Sequence, residues 1–86
     1  MLNDIRKEIN NIDEQMIKLF IKRMEIVKKV LVYKQENNLP VLDESREVIL
    51  IKRNIELLNN KELEKYYNIF FSGVLNSSKK FQEDNL

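Results

Sequence analysis

Residues 2–36 contain neither glycine nor proline. Apolar residues recur in this segment at alternating steps of three and four: Leu2, Ile5, Ile9, Ile12, Met16, Leu19, Phe20, Val27, Val30 and Leu31. This spacing aligns one apolar stripe along a helix. We therefore predict a single amphipathic helix from Leu2 to about Glu36.

The rest of the chain divides into two shorter helices. Residues 37–40 disfavour further helical geometry, and Pro40 pushes Leu39 toward an extended conformation, so a loop is expected over residues 37–42. Residues 43–45 supply the capping oxygens and negative charge of a helix N-terminus, and the two asparagines at 59–60 separate a second helix from a third. The inward line of the third helix is expected to pass through Leu63, Tyr67, Phe70, Val74, Ser78 and either Phe81 or Gln82.

The length of the first helix predicts a second copy of the chain. A helix of about 35 residues is about 50 Å long, whereas a compact chain of this size has a radius of gyration of about 12 Å. The two shorter helices cannot cover its whole apolar stripe. We expect one all-α domain over residues 1–86, with three helices (one long, two shorter), that forms an intertwined homodimer.

The composition excludes several classes of function. The 86 residues include no cysteine and no histidine, which removes thiolate chemistry, the usual general base and the commonest metal ligand. Fifteen basic side chains are interspersed with 14 acidic ones, so no field favours nucleic acid or an anionic membrane. Without a signal-peptide pattern at the N-terminus, we expect a cytoplasmic protein that uses no metal, cofactor, nucleic acid or membrane.

Two cations lie on the apolar stripe of the first helix. At about 100° per residue, Arg23 and Lys34 point in the direction shared by Ile5, Met16 and Val27. Burying an unpaired cation is costly, so a merely structural helix would be expected to carry Leu or Ile at these positions. The alternatives are that both side chains extend to the surface or pair with an internal carboxylate.

The shorter helices direct further polar groups to the same interior. Glu47 lies one turn before Ile51 with Arg46 beside it, although charge at a helix start is also ordinary. Ser78 and Gln82 are four residues apart and face inward, although a buried serine often bonds its own helix and a terminal glutamine is often solvated. Cations, a carboxylate, a hydroxyl and an amide together suit a small dianion that bears a hydroxyl and an ether.

Arg6 cannot join this group within one chain. It lies 17 positions before Arg23, about 26 Å along a straight helix, whereas Arg23 and Lys34 are 11 positions apart, about 16 Å in rise. If Arg6 contributes, it does so from the antiparallel first helix of a second chain; otherwise it is a solvated arginine of the first turns.

Three segments of the sequence resemble the all-helical chorismate mutases. They are LNDIRKEINNIDEQMIKLFIKRMEIVKKVLVYK, then NNLPVLDESRE, then SSKKFQ. Each segment alone is a weak signal, but the three in this order and spacing are highly specific. The resemblance implies three helices per chain, two composite sites per dimer, and an isomerase of phenylalanine and tyrosine biosynthesis. The connection between the second and third helices is short for the family, but no matched residue falls there.

The resemblance also assigns eight residues to the site. Those expected to act in catalysis are Arg23, Lys34, Glu47 and Gln82. Those expected to bind the substrate are Asp43, Arg46, Ser78 and, from the partner chain, Arg6. Lys34 and Gln82 would donate to the ether oxygen of chorismate, and Glu47 would accept from its ring hydroxyl.

The implied reaction is the concerted pericyclic (Claisen) rearrangement of chorismate to prephenate, which needs no proton transfer, nucleophile or cofactor. The protein must fix the folded substrate by its carboxylates and stabilise charge on the ether oxygen. Two alternatives stay open: an isochorismate pyruvate-lyase on the same fold, and a non-catalytic helical dimerisation or regulatory module. A dry, fully paired interior would favour the module.

Overall fold

The computed structural model describes all of residues 1–86 and contains three α-helices and no strand. Helix α1 spans Leu2–Glu36, α2 spans Glu44–Leu58 and α3 spans Lys61–Asp84. The prediction of an all-α chain with one long and two shorter helices is confirmed.

The connection between α1 and α2 is set by local geometry. Asn38 adopts a left-handed conformation with φ 55°, and Leu39 precedes Pro40, so the helix cannot continue. Asp43 then caps α2, because its carboxylate accepts a hydrogen bond from the backbone N–H of Arg46 at 3.1 Å.

The turn between α2 and α3 consists of two asparagines with different roles. Asn59 ends α2 in the left-handed conformation with φ 46°, which asparagine tolerates better than most residues. Asn60 is extended, and its side chain accepts a hydrogen bond from the backbone N–H of Leu63 at 3.3 Å. Two residues therefore suffice to reverse the chain.

Helix α3 lies between the other two. It packs against both α1 and α2, whereas α1 and α2 do not pack against each other and leave a space between them. Consequently, four of the five buried residues belong to α3, and the fifth belongs to α1. These residues are Leu31, Phe71, Leu75, Ser78 and Gln82.

The predicted inward line of α3 is correct at Ser78 and Gln82 but wrong at Leu63 and Phe70, which are exposed in the single chain. Phe71 is buried instead, whereas Phe70 is 54% exposed in the single chain. Because α3 packs against both α1 and α2, the centre of its buried face lies between the two helices. The Tyr67 hydroxyl accepts from the side-chain amide of Asn54 on α2 at 3.2 Å, and the Tyr67 ring stacks on Phe71.

The N-terminal part of α1 is left exposed by the rest of the chain. Residues 1–22 are all exposed, and they include the apolar stripe predicted from the sequence. The radius of gyration is 15.8 Å and the longest axis is 54 Å. This radius exceeds the value of about 12 Å expected for a compact chain of this length. The helix therefore extends beyond its own core, as predicted. None of the three helices combines the length and hydropathy needed to span a membrane.

Candidate active site

A cavity of about 310 Å³ lies where α1 and α2 diverge beside the C-terminal half of α3. That volume is at the lower end of the range for small-molecule sites. Seven of the eight residues predicted from the sequence line it: Arg23, Lys34, Asp43, Arg46, Glu47, Ser78 and Gln82. The structure thus brings side chains from all three helices and the preceding loop to one space.

Arg6, the eighth predicted residue, is not part of this group. Its side chain is exposed near the start of α1 and does not line the cavity. Because α1 is one continuous helix from Leu2 to Glu36, Arg6 and Arg23 of the same chain are separated by about 26 Å along its axis. A contribution from Arg6 requires a second chain.

Arg23 links α1 to α3 at the inner wall of the cavity. Its Nη1 donates to the Oγ of Ser78, and its guanidinium lies over the Phe71 ring, 6.0 Å from the centroid. Ser78 Oγ also donates to the carbonyl of Val74 at 3.1 Å, so the serine bonds its own helix as well. A guanidinium has five N–H donors, and most of them are left for a ligand.

Lys34 links α1 to the loop that precedes α2. Its Nζ donates to the backbone carbonyl of Val41 at 2.8 Å. It has no carboxylate within ion-pair distance, and the same holds for Arg23 and Arg46. These cations therefore do not pair with an internal carboxylate, which was one of the alternatives left open by the sequence.

Glu47 pairs instead with a residue that the sequence analysis missed. The Nζ of Lys79 lies 2.9 Å from its Oε2, and Lys79 also lines the cavity. Lys79 directly follows Ser78, so helical geometry turns it by about 100° from the buried serine toward α2. The position of Lys79 next to Ser78 could have indicated that it lies near the site. Its partner on α2, however, depends on how the two helices pack.

Gln82 has an unpartnered atom inside the protein. Its side chain is buried, and Nε2 donates to the backbone carbonyl of Ser78 at 3.3 Å, but Oε1 has no hydrogen-bond partner. A buried polar atom without a partner costs about 1–3 kcal/mol. Rotating the amide by a half-turn exchanges its oxygen and nitrogen, so this position can offer an acceptor or a donor to a ligand.

Asp43 and Arg46 form the exposed rim of the cavity at the start of α2. The Asp43 carboxylate accepts from Ser45 Oγ at 2.7 Å and from the backbone N–H of Arg46 at 3.1 Å. These two hydrogen bonds, the one from Ser45 first, lower the pKa of Asp43 below its ordinary value of 3.8. The carboxylate is thus held ionised as the N-cap of α2.

The remaining wall is apolar, and the sequence analysis assigned it no role in the site. It is formed by Ile26, Val27, Val30, Val41, Leu42, Leu50 and Leu75. Four cationic and two anionic side chains line the cavity as a whole, so its net charge is +2. A concave site with this charge and partly apolar walls favours a small, doubly anionic ligand. The chain has no cluster of three metal-binding side chains.

Comparison with known proteins identifies the family. The sequence model described as chorismate mutase type II matches residues 5–83. The T-protein of Haemophilus influenzae is 37% identical over 51 residues, which are 59% of this chain and 14% of that protein. A bifunctional chorismate mutase/prephenate dehydratase of Buchnera aphidicola subsp. Schizaphis graminum is 36% identical over 66 residues, 77% of this chain and 17% of that protein. Its counterpart in Buchnera aphidicola subsp. Baizongia pistaciae is 36% identical over 75 residues, 85% and 20% respectively.

The chain spans a fifth or less of the length of these curated relatives. No solved structure matches it with significance. The resemblance carried by the three sequence segments is confirmed, because the family match covers all three helices almost completely. The chain therefore belongs to the chorismate mutase type II family, a family of isomerases.

Proposed function

We propose that this chain catalyses the rearrangement of chorismate to prephenate, a step in phenylalanine and tyrosine biosynthesis. The observation that carries the proposal is the cavity of about 310 Å³ in which three cations without carboxylate partners surround a buried amide with an unpartnered atom. Chorismate carries two carboxylates, a ring hydroxyl and an enolpyruvyl ether, and each has a counterpart among the lining residues.

The cations act as carboxylate clamps. Arg23 and Arg46 present guanidinium groups, which bind carboxylates through paired N–H donors, and Ser78 helps to hold Arg23. Binding both carboxylates folds the enolpyruvyl arm over the ring. The entropic cost of reaching this geometry is then incurred when the substrate binds, and it no longer adds to the activation barrier of the reaction.

Two donors serve the ether oxygen, on which negative charge grows as the C–O bond breaks. Lys34 is a fixed cation, since Val41 holds its ammonium, and Gln82 supplies a buried amide that needs no protonation. Glu47 accepts from the ring hydroxyl, with the backbone of Asp43 nearby. No step in this scheme requires a metal or cofactor.

The proposed working unit is an intertwined homodimer in which residues 1–86 of each chain form one domain. The exposed apolar stripe of α1 supports this proposal, because a second α1 is the simplest cover for it. An antiparallel partner helix would carry its Arg6 toward the cavity of the first chain and complete the carboxylate clamp. The cytoplasmic location expected from the sequence stays a prediction.

The test is to incubate the purified protein with chorismate and follow both the loss of substrate and the formation of prephenate. A parallel incubation with isochorismate, monitored for pyruvate, tests the lyase alternative. Conversion of chorismate without pyruvate release supports the mutase. No turnover of either substrate would favour a non-catalytic module, although such a module has no use for an open cavity lined by unpaired cations.

A further inference from the structure

We propose that Lys79 is a positioning residue of the active site, which holds and neutralises Glu47 so that this carboxylate can accept the substrate's ring hydroxyl without repelling the dianion. The inference rests on the proposed function. The resemblance to the family assigns no role to Lys79.

The geometry ties Lys79 to one oxygen of Glu47. Lys79 Nζ lies 2.9 Å from Oε2, and this pair joins α3 to α2 across the cavity wall. Glu47 makes no other side-chain hydrogen bond or ion pair, so Oε1 is free to accept from a ligand. The ammonium therefore fixes the orientation of the carboxylate and leaves one oxygen for the hydroxyl.

The charge balance gives Lys79 a second effect. With Lys79, the cavity lining has a net charge of +2, which matches a dianion, and without it the lining has +1. Glu47 is 22% exposed, so its charge is only partly screened by water. An unpaired carboxylate there would oppose binding of a doubly negative substrate.

A purely structural ion pair predicts a different outcome. Pairs on the protein surface contribute little to stability, and the neighbouring Lys80 provides the matched example. Lys80 Nζ lies 2.9 Å from Asp84 Oδ1 on the same helix, but the two side chains are 72% and 55% exposed and neither lines the cavity. Lys80→Met therefore removes a pair of equal length without touching the site.

The experiment compares steady-state kinetics with chorismate for wild type, Lys79→Met, Lys79→Arg, Lys80→Met, Glu47→Gln and the double variant Lys79→Met/Glu47→Gln. We expect Lys79→Met to raise KM about tenfold, which corresponds to about 1.4 kcal/mol. Lys79→Arg should keep KM close to the wild-type value, and Lys80→Met should behave as wild type.

The double variant gives the decisive measurement. Removing both charges returns the net charge of the lining to +2, so its KM should fall back to within about twofold of wild type. Its kcat should stay as low as that of Glu47→Gln, because a neutral amide oxygen accepts the hydrogen bond of the ring hydroxyl more weakly than a carboxylate does. A merely structural role for Lys79 predicts no such recovery of KM. Thermal unfolding of each variant checks its fold, and Lys79→Gln replaces Lys79→Met if the latter does not fold.

The outcomes separate the inference from the proposed function. An active wild type in which Lys79→Met and Lys80→Met have the same KM overturns the role of Lys79 and leaves the mutase assignment intact. A KM in the double variant as high as in Lys79→Met likewise overturns the charge argument. A wild-type protein that does not convert chorismate overturns both.

Discussion

Replacing Gln82 with methionine should make the protein more stable and nearly inactive. Methionine has a similar length and no polar atoms, so it removes the buried Oε1 that has no partner. It also loses the hydrogen bond from Nε2 to the Ser78 carbonyl, which is long at 3.3 Å. The opposite signs of the effects on stability and activity distinguish a ligand-binding amide from a structural one.

The magnitudes follow from these two terms. Relief of the unpartnered oxygen is worth about 1–3 kcal/mol, and loss of the amide hydrogen bond costs about 0.5–1.5 kcal/mol. The net effect is a gain of about 1 kcal/mol, or a rise of about 4–8 °C in Tm for a domain of this size. Removing a preorganised donor to the ether oxygen should lower kcat by about 100-fold to 1,000-fold.

The assay combines urea unfolding, at one fixed protein concentration, with the chorismate turnover measurement. The concentration must be constant because the stability of a dimer depends on it. Gln35→Met is the matched control, since Gln35 is exposed on α1 and makes no side-chain hydrogen bond; it should change neither property. A Gln82→Met protein that is clearly less stable than wild type, or that retains full activity, would refute the reasoning.

The remaining predictions concern the clamp, the dimer and the cap of α2. Arg23→Ala and Lys34→Ala should each nearly abolish prephenate formation while circular dichroism stays that of a folded helical protein; an active Lys34→Ala enzyme would contradict the role assigned to that ammonium. Arg6→Ala and Arg23→Ala chains should each be inactive alone, but unfolding and refolding them together should restore about a quarter of wild-type activity. Half of the resulting dimers are then mixed, and each of these has one intact site of two. No recovery on mixing would mean that Arg6 does not act across the dimer. Asp43→Ala should destabilise the protein at pH 7, because the folded-state pKa of Asp43 is lowered by the hydrogen bonds from Ser45 and the backbone. The stabilising effect of that carboxylate is fully present above its unfolded pKa and is lost as pH falls through the lower folded pKa. The difference in unfolding free energy between wild type and variant should therefore shrink below pH 3.8, and a difference that instead grows on acidification would exclude this cause.

The helices and their ends were predictable from the sequence because their signals are local. Pro40 disfavours a helical conformation in the residue before it, and Asp43 caps the next helix through a hydrogen bond to a residue only three positions away. The inward direction of Arg23 and Lys34 also follows from the helical period alone. Each of these inferences involves residues within one helix or next to it.

Relations between helices were decided only by the tertiary structure. The burial of Phe71 rather than Phe70 depends on how α3 is rotated between its two neighbours, which the period of its own sequence does not specify. The pairing of Lys79 with Glu47 joins residues 32 positions apart and depends on the same rotation. Intrahelical geometry repeats every 3.6 residues and is encoded locally, whereas the rotation and separation of packed helices emerge from all their side chains together.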